Sequence, residues 1–371
     1  MRTRNLFVFG ARSLATAAAV FACLASLLVS PALAQRPSTD KHVRELGRYL
    51  SGVKVAEPII YRQLAVYPIL TDDVPHLQGR WLTLDEALAR GVLVVSEKGA
   101  GSVPVLAVEN RSRDEHVLIM TGEVIAGGMQ TRTTRHDLAL APGQTIDLEV
   151  FCVEAHRWSG EKSFSLGSKT MLPQSIQGKV RGGADQGGVW SEVRRNNRQL
   201  QAENATGSLD VAMKAAPVRK RLDDVHRAVV PAIPRGTTGF IFLCDGRPVG
   251  AELFGSETLA RQLLPKLLDS YAVDYVLLSK SATSRHEARD DKAAIGLFEQ
   301  ICRAGSQRAS TAGSGAGIQT RAGGLLGDGV SLDSTLVHYG VQPAEARTSG
   351  PEARPTIIYP NSQQRNDLNQ Q

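Results

Sequence analysis

Residues 121–158, TGEVIAGGMQTRTTRHDLALAPGQTIDLEVFCVEAHRW, set short apolar runs against glycines, a Pro-Gly turn and a dense set of charged side chains. Gly122, Gly127 and Gly128 permit backbone conformations and close approaches that other residues resist. Glu123, Gln130, Arg132, Glu154, His156 and Arg157 carry donors and acceptors suited to an anionic, sugar-like or amide-bearing ligand. Pro142 and Gly143 mark a turn that places HDLALA opposite TIDLEVFCV, so a hairpin is expected there. One residue of register then decides which side chains share a face.

The runs just before this block, VLVVSE from Val92, VPVLAVEN from Val103 and EHVLIMTG from Glu115, repeat the pattern of short strands between turn formers. Such spacing predicts an antiparallel sandwich or barrel-like sheet. Upstream, Thr83 is an N-cap before LDEALARG, with Glu86 in the capping-box position and Gly91 at the stop. Earlier still, Pro58 to Leu70 reads as extended chain and His42 to Ser51 as a short helix. The expected organisation is a linker over 35–54, a β-rich subdomain over 55–158, and a surface loop or lid over 159–188.

Helical periodicity follows over Val189 to Glu203 and from Ser208 to Ala228, with Val189, Val193 and Leu200 on one side and Arg194, Arg195 and Arg198 on the other. The stretch GFIFLCDGRPVGAELFGSETLARQLLPKLLDSYAVDYVLLSK, from Gly239, reads as a strand, an Asp-Gly turn, a second strand, a helix capped by Ser256, and a third strand at Asp274 to Leu278. A helix over Ala288 to Arg303 completes an α/β subdomain spanning 189–303. Beyond Ala304 the chain turns Ser/Gly/Ala-rich, a composition that buries little apolar surface, so disorder is expected over 304–371 apart from the VSLDSTLVHYG patch. The fold class is therefore α+β: a β-rich antiparallel part, a smaller α/β part, and a disordered tail.

At the other end, MRTRNLFVFGARSLATAAAVFACLASLLVSPALA combines a basic start, an apolar stretch from Leu14 to Val29, and small residues at Ala32 and Ala34. This is the pattern of a secretory signal peptide over 1–34, cleaved before Gln35, with a periplasmic or secreted mature chain and no stable membrane span. Its removal takes Arg2, Arg4 and Arg12 and lowers the formal charge from +6 to +3. No dense basic run with interleaved aromatics suggests nucleic acid. Cys152, Cys244 and Cys302 remain, an odd number without a CxxC spacing, and Cys152 and Cys244 sit in apolar runs as buried small hydrophobes.

The ordered segments YRQLAVYPIL, TLDEALARG, VENRS, TGEVIAGGMQTR, FCVEAHRW, VWSEV, ATGS and GRPVGAELFG…PKLLDSYAVD resemble the ADP-ribosylglycohydrolase and rhodanese-phosphatase-superfamily-associated protein domain over about Val55 to Lys280. The resemblance implies a link by association to NAD and ADP-ribose metabolism, with an unsettled reaction and no implied cofactor. The family pattern matches at Glu123, Gln130, Arg132, Cys152, Glu154, Arg157 and Trp158. It departs at Met129, where the family often carries lysine, which removes a cation suited to phosphate or a Schiff base.

From the residues, three functions stay open. A binding domain would hold a polar or anionic, nucleotide-sugar-like small molecule with Gly122, Gly127, Gly128, Gln130, Arg132, Arg157 and Trp158. A hydrolase or transferase would use Glu123 or Glu154 as acid/base. An envelope scaffold would use the same cluster as structural ion pairs and capture a protein partner with its tail. His136, Asp137, Glu154 and His156 lack a metal-ligand spacing, so no metal is expected. A Cys152–His156 nucleophile pair would be ~13 Å apart on an extended strand.

Overall fold

The computed structural model describes residues 41–71, 76–98, 104–164, 166–277 and 288–344. The expected signal peptide, residues 35–40 of the expected 35–54 linker and residues 345–371 lie outside them. Strands β1 (Val53–Val55), β2 (Ile59–Tyr61), β3 (Leu64–Thr71), β14 (Thr237–Cys244), β15 (Arg247–Phe254), β16 (Gln307–Ala309), β17 (Ala316–Thr320), β18 (Leu325–Leu332) and β19 (Thr335–Pro343) form one antiparallel sheet in the order β1-β3-β14-β15-β19-β18-β17-β16, with β2 also on β3. Alternate residues of its central strands face two different cores. Leu64, Val66, Phe240 and Phe242 point to one side, and Ala65, Tyr67, Ile241 and Leu243 to the other. That two-sided burial explains why LAVYPIL and GFIFLC are continuously apolar rather than alternating.

Helix α1 (Arg44–Ser51) and helix α8 (Asp291–Ala304) cover the second face with Leu46, Leu50, Leu297 and Ile301. The first face receives helix α7 (Glu257–Ala272), whose Ser256 accepts from the Leu259 amide as the expected N-cap. Burial is continuous from Lys266 to Ala272 on α7, and Phe242 stacks on Tyr271 with ring centroids 3.8 Å apart. Around α7 pack α3 (Gln174–Arg181), α4 (Gln186–Gln199), α5 (Leu209–Lys214) and α6 (Ala216–Val229). On α4, Val189 and Val193 are buried and Arg194, Arg195 and Arg198 exposed, as their spacing predicts.

The remaining strands make a smaller lobe. A seven-stranded sheet runs β12 (Ser163–Phe164), β5 (Leu93–Glu97), β6 (Val105–Asn110), β11 (Thr145–Cys152), β9 (Arg132–Thr134), β8 (Glu123–Ala126), β13 (Leu166–Met171). A three-stranded sheet of β10 (Leu138–Leu140), β7 (Glu115–Ile119) and β4 (Arg80–Thr83) lies in the same core, with the short helix α2 (Leu84–Ala89) closing it. The pairing of β4 with β7 is parallel. Thr83 and Glu86 form the reciprocal capping box read from sequence.

Five expectations change. HDLALA and TIDLEVFCV do not pair with each other: β10 joins β7, while β11 joins β6 and β9. Buried Asn110 causes the split, its Nδ2 donating to the carbonyls of Glu115, Leu140 and Ala141. Residues 159–188 carry β12, β13 and α3 rather than a single loop, because β13 completes the sheet beside β8. Residues 273–277 form a π-helical turn that continues α7 instead of a strand. The tail boundary at 304 moves past 344, since β16–β19 complete the large sheet. The division at 158 does not follow the sheets, because β1–β3 pair with strands from the C-terminal half.

Candidate functional site

The block that opened the sequence folds into two separate polar centres. Glu123 begins β8 and is fully buried; its Oε2 accepts from the Met120 amide at 2.8 Å and its Oε1 from Lys266 Nζ at 2.6 Å. Lys266 also pairs with Asp85, whose other oxygen accepts from the Lys169 amide at 3.2 Å. The ammonium of α7 thus bridges a carboxylate in the small lobe and one on α2, with 6 % of the lysine side chain and 17 % of Asp85 exposed. Burial pulls the Lys266 pKa down, but Glu123 and Asp85 pull it up further, so it rises above the ordinary lysine value. Burial pushes the Glu123 carboxyl above its ordinary value, against the pull of Lys266 and the Met120 amide.

Gln130, Arg132, Glu154, Arg157 and Trp158 lie in the second centre. Arg132 is fully buried, with Nη2 3.3 Å from Glu97 Oε1, Nη1 3.2 Å from Gln130 Oε1, and its guanidinium 5.6 Å from the Trp158 ring centroid. Glu97 Oε1 also accepts from the Met129 amide. Glu154 Oε2 accepts from the amide and hydroxyl of Thr131 and from Arg157. Burial pushes Glu154 up, but its bonds to Arg157, Thr206 and Thr131 outweigh that and hold it below the ordinary carboxyl value. Arg157 spends its remaining donors on the carbonyls of Gly127, Gly128 and Ser159. These bonds lock a strand junction and use every Arg157 donor, while Arg132 Nε and Glu97 Oε2 are buried without a partner.

The glycines serve that packing. Gly128 lies at φ +56°, and a Cβ there would run into the Phe164 ring; Gly122 lies at φ +85° against the Gln177 side chain. Cys152 is buried beside Arg132, and burial pushes its thiol up to about 11. Cys152, Cys244 and Cys302 are all buried, and none of them forms a disulfide among the described residues.

A cleft of about 570 Å³ opens where α2, β13, α5, α6 and α7 meet. Asp85 and Lys266 sit in its lining together with Lys169, Thr170, Arg219 and Asp269. Arg219 forms a bidentate pair with Asp269 at 2.6 and 3.0 Å, and His226 Nε2 lies 2.7 Å from the same carboxylate. Lys169 occupies the left-handed region at φ +56°, within an irregularity of β13. Strained non-glycine backbone of this kind concentrates at functional sites.

Of the residues expected from sequence, only Glu123 belongs to this cleft, and it reaches the cleft through Lys266. Lys266, Asp85 and Arg219 were missed. The available signal was the lysine itself, an ammonium within the leucine-rich face of LARQLLPKLL.

A helix-covered antiparallel sheet with a smaller strand-rich lobe and a charged cleft beside α7 defines an α+β domain. The chain belongs to the family of the ARG and Rhodanese-Phosphatase-superfamily-associated Protein (ARPP-1) domain, whose model matches residues 52–341. The match runs through β16–β19. No curated protein and no solved structure matches the chain.

Proposed function

We propose that this protein binds a polar small molecule in the cleft beside α7, with Asp85 and Lys266 touching the ligand and Glu123 holding Lys266 in place. The observation that carries the reading is the buried ammonium set between a cleft carboxylate and a fully buried one. Retaining a buried ion pair in a core seldom improves stability over apolar packing, which favours a role in a site. The bond pattern around Glu154 and Arg157 supports the structural reading of that part of the centre. Glu123 and Glu154 are both enclosed, so their placement favours binding over acid/base work at those two residues.

The test is a thermal-shift screen of the full chain against sugars, nucleosides, nucleotide sugars and ADP-ribose, repeated with Asp85→Asn. A ligand that raises the melting temperature of the parent and not of the folded variant supports the reading. A shift that persists in folded Asp85→Asn contradicts it. Export belongs to the same proposal and rests on the residue pattern of 1–34. Mass spectrometry of the protein from an extracytoplasmic fraction is expected to find Gln35 at the N-terminus; an intact Met1 there contradicts it.

A further inference from the structure

Three of the four cations around the cleft are already paired. Lys266 is held by Asp85 and Glu123, Lys214 by Asp210 at 2.8 Å, and Arg219 by Asp223 and Asp269. With Lys169, the cleft and its immediate partners count four cations against five carboxylates, or six with Glu86. A phosphate or carboxylate ligand would therefore meet a net negative field and would have to displace existing ion pairs.

The pairs nonetheless present fixed donors and acceptors side by side. Asp85 and Lys266 adjoin, Arg219 and Asp269 form a bidentate pair, and Thr83, Ser168 and Thr170 line the cleft with hydroxyls that already donate to Glu86, Val124 and Asp210. Met213, Leu263 and Pro265 supply an apolar wall to the same cleft. A ring with adjacent hydroxyls on its rim and C–H groups on its face matches both features: the hydroxyls bridge paired acceptors and donors, and the face covers the apolar wall.

We propose that the group recognised in this cleft is an uncharged polyol of the sugar class, bound by its hydroxyls to Asp85, Lys266 and the Arg219–Asp269 pair. This rests on the cleft being the ligand site. Asp85→Asn is a suitable probe because Glu123 still balances Lys266 in that variant, and Asp223→Asn, which removes the carboxylate that holds Arg219 Nε, serves as a second.

The experiment measures melting shifts and saturation-transfer NMR of the full chain with a panel of uncharged mono- and disaccharides, their phosphate esters, and inorganic phosphate. The expected result is a shift of at least 2 °C (roughly the order that a ligand well above its dissociation constant produces) with an uncharged sugar, lost in folded Asp85→Asn or Asp223→Asn, and no shift with inorganic phosphate. A phosphate-driven shift that Lys169→Ala removes overturns the polyol assignment and leaves the cleft reading standing. A sugar-driven shift unchanged in both carboxylate variants overturns both. Absence of any shift from the uncharged sugars overturns the polyol assignment, and the nucleotide compounds of the wider screen then decide the cleft.

Discussion

Lys266 shows how one side chain links two parts of the molecule. Replacing it by methionine would leave Glu123 buried against the Met120 amide without its ammonium, and we expect a loss of about 3–5 kcal/mol in urea unfolding. Adding Glu123→Gln to that variant is expected to recover most of the loss, because the orphaned charge disappears. His338 carries a second residue-scale prediction. It is fully buried between Asp137 and Glu252, with Nε2 3.0 Å from Glu252 Oε2. Burial alone would lower its pKa, but the Asp137 and Glu252 contacts raise it to about 9. A folded pKa above the unfolded value of 6.5 favours the protonated ring. The resulting stability is full below pH 6.5 and is lost as pH rises through 9. Denaturation midpoints measured from pH 6 to 10 should fall over that window, and His338→Gln should flatten the fall. Gly340 belongs to the same network, since a Cβ there would collide with the Glu252 carboxylate and the Arg181 guanidinium.

Among the elements, those with local chemistry were the ones readable from sequence. The capping box at Thr83, the Ser256 cap, the apolar side of α4 and the β14–β15 hairpin around Asp245 and Gly246 all formed as expected. Thr83→Ala is expected to cost about 1 kcal/mol through the lost cap and to loosen the α2 edge of the cleft; chemical denaturation checks the first. Elements fixed by distant partners were not readable. The β10–β11 separation depends on Asn110, thirty residues before the turn it organises. Gln186 gives another such case: its side chain accepts from the Cys152 amide and donates to the Cys152 carbonyl, both at 2.8 Å, and so completes the edge of β11. Strands β17–β19 hid behind glycine content. A Cβ at Gly327 or Gly329 would press on Tyr339, so glycine there answers a close approach that composition reads as disorder.

At the scale of the whole molecule, the large sheet is closed by its last strands. β15 pairs with β19, and β19 with β18, so the chain between 307 and 343 covers one side of a central strand. Truncation after Ala304 would strip that side and expose Phe254 and Leu253, both fully buried; cooperative thermal unfolding is expected to disappear, and a truncated chain that melts like the parent contradicts the topology. The candidate site was half legible for the same reason. Glu123 stands in a motif-rich segment, whereas Asp85 and Lys266 come from elements 38 residues before and 143 residues after it, brought together only when the small lobe docks on α7. The most direct measurement of that meeting is side-chain NMR of the lysine ammonium groups in full-length protein labelled with nitrogen-15 lysine. The expected result at neutral pH is a slowly exchanging ammonium signal that vanishes in Lys266→Met and moves in both Asp85→Asn and Glu123→Gln; a Lys266 that is neutral, or an ammonium indifferent to both carboxylates, would contradict the site.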